Sequence, residues 1–226
     1  RTLPADQQCG AMDEILYNAA INYESAHLVG KAIRVRRALI GAYPESPLSK
    51  RAIYFVGANY HALAYYPEAS EWYERFATQY AGEDGSQCTE QERNEGRCAV
   101  ASEALMNATL FRLGLAQEEQ AIADADLFQR NYARTMPRET AQVYYAVGQL
   151  YEHREQWDKV VLYYRRYIRD FARMATPHQL IMANVAVGRA YIHEEKPDDA
   201  KDMFDAAVRI WNGGAAQSIA RMTNIS

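Results

Sequence analysis

Apolar residues recur along this chain at intervals of three and four, with polar residues between them. Ile53, Val56, Gly57 and Tyr60 fall at i, i+3, i+4 and i+7, the spacing of one helix face. The phrase Val-Gly-x-x-Tyr occurs three times, at Val56–Tyr60, Val147–Tyr151 and Val187–Tyr191. Gly148 and Gly188 are 40 residues apart. Gly57 and Gly148 are 91 apart, which leaves room for one more repeat and an insertion. After each phrase comes a short polar break and a second amphipathic segment. A small or β-branched residue stands 12 positions after each glycine (Ala69, Val160, Ala200), and an aromatic stands 16 after it (Tyr73, Tyr164, Phe204). Glycine lowers helix stability relative to alanine. Its return at one slot therefore predicts a close helix–helix approach.

The breaks place the boundaries. Pro44, Pro47, Pro137 and Pro177 fall where helices must stop or start, and Pro67 suits a first helical turn. The pattern predicts helical hairpins over about 13–46, 47–81, 99–136, 137–175 and 176–212. Residues 1–12 form a lead-in, and 82–98 (GEDGSQCTEQERNEGRC) an insertion loop. After Asn212-Gly213-Gly214, residues 213–226 read as a last helix or a truncated further unit. Two copies are weaker. Ala20, Tyr23, Ala32 and Pro44 match the offsets, but Arg36 stands in the aromatic slot. Ala108 and Phe111 match a first helix, and the helix from about Glu119 to Tyr132 fits only with one residue inserted in the turn.

This pattern resembles the tetratricopeptide repeat (TPR) family, over nearly the whole chain. The resemblance implies an all-α fold, a right-handed superhelical solenoid of about five hairpins whose first helices line a concave groove. By family offset, Tyr17, Ile21, Tyr54, Ala58, His61, Leu105, Arg112, Tyr145, Gln149, Glu152, Val185 and Arg189 would line that groove. A groove of this kind suits an extended partner segment, and Tyr and Arg are favoured anchors. Tyr60, Tyr151 and Tyr191 lie on the apolar ladder and are expected to pack between helices. Chaperone-binding members clamp a carboxylate with Lys and Asn on the first helices. Tyr17 and Ile21 occupy such slots here, which disfavours a co-chaperone role.

Composition narrows the function. A net charge of -4 gives no reason to expect nucleic acid, and no apolar run is long enough to span a bilayer. No phosphate-binding loop, nucleophile elbow or metal-ligand spacing occurs. His193-Glu194-Glu195 reads as a helix end and not a metal site. No catalytic residue, metal or cofactor is expected. Charge is patchy. Lys31, Arg34, Arg36 and Arg37 crowd one second helix, and Arg154, Lys159, Arg165, Arg166, Arg169 and Arg173 another. The final turn is acidic through Glu194, Glu195, Asp198 and Asp199. These read as solvated faces, or as docking surfaces for charged partners.

There are three cysteines. Cys88 and Cys98 close part of the insertion, a placement that suits a disulfide and an oxidising compartment; two free thiols are the alternative. Cys9 reads as a free or packing thiol. The chain begins at Arg1 without a signal peptide, as a mature or trimmed chain would. The hinge Ala42-Tyr43-Pro44-Glu45-Ser46-Pro47 resembles bacterial envelope members of the family. Examples are the lipoprotein subunit of the outer-membrane β-barrel assembly machine, the TolA-binding periplasmic protein, and periplasmic repeat proteins of gliding motility. The expectation is a non-catalytic scaffold of a periplasmic or envelope machine, with protein partners: an extended segment or other subunits of the complex. The alternatives are a cytosolic adaptor in secretion or regulation, and a module holding a small ligand or envelope polymer.

Overall fold

The computed structural model describes residues 12–215. Cys9, most of the 1–12 lead-in and residues 216–226 lie outside the described residues. The chain divides into two compact units, Arg1–Leu115 and Ala116–Ser226.

In the first unit, α1 (Met12–Ser25), α2 (Val29–Ala42), α3 (Pro47–Ala62), α4 (Tyr66–Gln79), the short α5 (Glu90–Asn94) and α6 (Ala101–Gly114) follow in order. α1 packs on α2, α2 on α3, α3 on α4, and α4 on α6. In the second unit come α7 (Glu118–Tyr132), α8 (Pro137–His153), α9 (Trp157–Phe171), α10 (Pro177–His193) and α11 (Pro197–Ile210). Each packs on the next. A π-helical turn, Trp211–Ala215, follows. The described residues are helix, turn and short loop, with no strand among them. The units part between α6 and α7, so the two helices expected as a hairpin over 99–136 belong to different units.

Five turns share one backbone device. His27, Ala64, Ala116, Glu155 and Glu195 each adopt positive φ, between 55° and 59°. The amide after the turn residue reaches back five residues from Leu28 to the Tyr23 carbonyl, from Tyr65 to Tyr60, from Gln156 to Tyr151, and from Lys196 to Tyr191. This closes each helix with a Schellman-type cap. The left-handed residue follows Ala20, Gly57, Gly148 and Gly188 by seven positions but Ala108 by eight. The inserted residue therefore lies ahead of the turn residue. Prolines open α3, α4, α8, α10 and α11, where a missing N–H costs no intrahelical bond.

The repeated glycines are where the helices touch. A Cβ at Gly57 would lie 2.9 Å from Tyr73, one at Gly148 2.7 Å from Tyr164 Cδ1, and one at Gly188 2.7 Å from Phe204. Each ring occupies the space a side chain would need, at the offset of 16 residues seen in the sequence.

The first hairpin solves its missing ring differently. Arg36 is 1% exposed. Its guanidinium pairs with Glu24 of α1 at 2.8 Å, donates to the Asn59 side-chain oxygen of α3, and lies 5.2 Å from the Phe55 ring. Asn59 in turn donates to Glu24. A buried cation is tolerable only with such partners.

The insertion is ordered. Cys88 and Cys98 are disulfide-bonded, with Cα atoms 5.7 Å apart. A Thr89–Glu92 capping box starts α5. Arg51 of α3 donates to Glu92 at 2.5 Å and to the Arg97 carbonyl at 3.0 Å, and Lys50 pairs with Glu83. These contacts hold the loop against α3.

Candidate partner-binding site

In the second unit, α8 and α10 shape an open cleft of about 520 Å³ lined by Gln149, Glu152, His153, Glu155, Trp157 and Arg189. Gln149, Glu152 and His153 share one face of α8 by their spacing. Arg189 reaches across from α10 and donates to Glu152. The other Glu152 oxygen accepts from the Tyr164 hydroxyl at 3.3 Å. The carboxylate is thus fixed from two helices. Trp157 begins α9, just after the left-handed Glu155, and stacks on His193 with ring centres 4.3 Å apart and planes 9° from parallel.

Behind the cleft is an aromatic layer. Tyr145 is half-buried, 5.6 Å from the Tyr164 ring and 5.3 Å from Tyr167. Burial pushes the Tyr164 phenol far above its ordinary value, and the facing Glu152 carboxylate adds to the rise. Tyr164 is therefore a neutral donor at every physiological pH. The cleft offers a carboxylate, a guanidinium and an amide beside a flat aromatic plate. That set can bind the peptide groups of an extended chain and one planar side chain.

Of the expected groove residues in this unit, Gln149, Glu152 and Arg189 come together. Tyr145 supports them from below, and Val185 on α10 is half-buried. Trp157, His153, Glu155 and His193 complete the setting. A tryptophan at the first position of a second helix was the available signal for them.

The first unit requires corrections. Leu105 is fully buried and offers no surface. Tyr17 and Tyr54 are each only 8% exposed. Burial raises the Tyr54 phenol, with Tyr73 and the Glu103 carboxylate adding to it. Arg112 is buried and held by both oxygens of Glu74, at 2.5 and 2.9 Å. In each case a neighbouring element covers a position that the family offset turns outward. Ile21 and Ala58 are half-buried. His61 is exposed, but its ring meets Phe111 edge-on at 4.7 Å. Tyr151 and Tyr191 are buried between helices, while Tyr60 is half-buried.

Among the described residues, no group of three or more His, Cys, Asp or Glu could hold a metal ion. No described helix is long and apolar enough to cross a membrane.

The hairpin geometry, capped turns and glycine–ring contacts define an all-helical repeat fold of TPR-like hairpins. Solved structures share it at low identity. A crystal structure of MamA protein matches with 17% identity over 92% of this chain and 96% of that one, at a TM-score of 0.56. BtubC (BKLC) from P. vanneervenii matches with 17% identity over 90% and 81%, at 0.52. MamA from residue 41 onward, from Desulfovibrio magneticus RS-1, matches with 13% identity over 90% and 97%, at 0.50. At these identities the likeness is one of fold. No family model matches the sequence, and no curated protein matches it significantly.

Proposed function

We propose that the protein is a non-catalytic protein-interaction scaffold, and that the α8–α10 cleft holds an extended segment of a partner protein. The observation that carries this is the convergence of Gln149, Glu152 and Arg189 beside the Trp157–His193 stack. These groups suit recognition of a peptide chain. The fold alone does not supply a function. We further propose a periplasmic or envelope location, with other subunits of an envelope complex as partners. The Cys88–Cys98 bond supports that reading, because such bonds persist in oxidising compartments.

A photo-crosslinking residue at Gln149, introduced in the native host, tests the cleft. The control site is Leu162 of α9, which is 64% exposed. A discrete adduct at Gln149 that is absent at Leu162, and that Arg189→Glu abolishes, supports the proposal. Equal or absent labelling at both overturns it. Non-reducing mass spectrometry of the same material tests the compartment. Free Cys88 and Cys98 thiols would move the reading to a cytosolic adaptor in secretion or regulation.

A further inference from the structure

A second surface lies on the first unit. Gly30, Ile33, Arg34 and Arg37 form one stripe of α2, spaced i, i+3, i+4 and i+7. Opposite them stand Tyr60, Leu63 and Tyr65, from the end of α3 and its turn. Together they enclose a cleft of about 430 Å³, within the range of side-chain and small-ligand pockets, roughly 300–1,000 Å³. Ile33 forms an apolar floor. Leu63 and Tyr65 remain 42% and 56% exposed, although both are large and apolar. The Tyr60 and Tyr65 rings stand 6.5 Å apart. Gly30 lines the cleft, and a Cβ there would meet nothing within 4 Å, so a larger side chain can be placed at its edge without a clash.

The charges point to an occupant. Four other cations of this unit are in ion pairs, Arg36 with Glu24, Lys50 with Glu83, Arg51 with Glu92 and Arg112 with Glu74, while Lys31 and Arg75 lie over the Tyr23 and Trp72 rings. Among the described residues, Arg34 and Arg37 belong to no ion pair and are exposed. Two unspent guanidiniums thus flank an apolar pocket, in a protein whose net charge is -4. The recess is of side-chain size and only two of its lining residues are cationic, which suits one docked side chain with a few flanking carboxylates rather than a lipid surface. We infer that the α2–α3 cleft docks an acidic protein segment bearing one bulky aliphatic side chain. The side chain enters between Ile33, Leu63 and the two tyrosine rings, while flanking carboxylates pair with Arg34 and Arg37. This surface is separate from the α8–α10 cleft.

Isothermal titration calorimetry tests it, with the purified chain and the capped peptide Asp-Glu-Glu-Leu-Glu-Asp. Saturable binding is expected. It should weaken at least about tenfold with Arg34→Glu/Arg37→Glu, the loss of one or more charge-assisted contacts. It should weaken similarly when the peptide leucine becomes glycine, and with Gly30→Leu. Leucine fills the mouth and forms helix better than glycine, so unchanged circular dichroism is expected with that variant. Absence of binding overturns the inference. So does binding that responds to the charge reversal but not to Gly30→Leu or the leucine deletion, which is nonspecific attraction. Flotation with phosphatidylserine vesicles that depends on Arg34 and Arg37, without peptide binding, would assign the cations to a membrane surface instead.

Discussion

Tyr164 occupies the space that a side chain at Gly148 would need. The ring is fully buried, and its Cδ1 and Cζ lie 2.7 and 2.8 Å from where a Cβ would stand. Its hydroxyl continues to Glu152 at the cleft, so one residue closes the hairpin and supports the candidate site.

Gly148→Ala should therefore destabilise. Alanine gains about 1 kcal/mol of helix propensity, but displacing a packed ring costs about 1–3 kcal/mol. The ring is backed by Tyr145, so relaxation is limited and the net loss should be about 1–2 kcal/mol. Gly57→Ala should be milder, because its closest contact is longer. Gly41→Ala should have the opposite sign, since a Cβ there meets nothing within 4 Å; a gain of about 0.5–1 kcal/mol is expected. Urea unfolding followed by circular dichroism reads all three. Stabilisation by Gly148→Ala would remove the packing explanation for the repeated glycine.

The left-handed turn residues give a second series. Glu195 has a φ of 57°, in a region that costs a side-chain-bearing residue about 1–2 kcal/mol. Part of that is regained by glycine and part lost to its greater freedom when unfolded. Glu195→Gly should raise stability by about 0.5–1 kcal/mol. A lowered melting temperature would contradict the cap geometry.

The Arg36–Glu24–Asn59 cluster should behave as a unit. Arg36→Met leaves Asn59 and the one-third-exposed Glu24 without their buried partner and should cost about 1–3 kcal/mol, below the range for a fully buried charge. Glu24→Leu together with Arg36→Met should recover at least half of this, because both charges then leave together. A double-mutant cycle with no coupling would show that the three side chains act separately.

Alkaline pH should unfold the protein through its tyrosines. Burial raises Tyr144 to about 12, partly opposed by Arg166. It also raises Tyr73, Tyr151 and Tyr167. In the unfolded chain each phenol ionises near 10. Below that pH both states keep the proton, and these groups give no pH dependence. Above it the unfolded chain loses protons first, so stability falls as pH rises from about 10 towards 12. Melting temperatures between pH 8 and 11.5, read beside tyrosinate absorbance, should show a flat region and then a decline. Full tyrosine ionisation without loss of helix would contradict the buried assignments.

Reduction of Cys88–Cys98 should loosen the insertion. The half-cystines are 10 residues apart, a closure worth about 2–3 kcal/mol to the folded state. Melting temperature with and without dithiothreitol, compared with Cys88→Ser/Cys98→Ser, measures it. Equal loss in both, with hairpin helicity retained at low temperature, is expected.

Much of the fold could be read in the sequence because it repeats. Gly57, Gly148 and Gly188 announced a close contact, and Tyr73, Tyr164 and Phe204 were its partners at a fixed offset. The site was less legible. Periodicity gives the phase of one helix but not what the next element lays over it. Leu105, Tyr54 and Arg112 carry the outward offset yet are covered, the last through Glu74 of α4. Trp157 and His193 lie in different helices with unrelated periodic positions, and only the folded turn stacks them. Arg36 interrupted the aromatic pattern, and its meaning depended on Glu24 and Asn59 arriving from two other helices.

The ring-to-glycine spacing also bears on how the chain acquires its structure during synthesis. Three hairpins are sealed by a ring only 16 positions downstream of the glycine slot it fills. Little chain must be immobilised before that contact forms, and local contacts of this kind favour rapid folding. A hairpin such as α8–α9 has all its sealing groups outside the ribosome once Tyr164 emerges, and need not wait for α10. Finished hairpins can then serve as templates for those still being made, so growth proceeds in the order of translation.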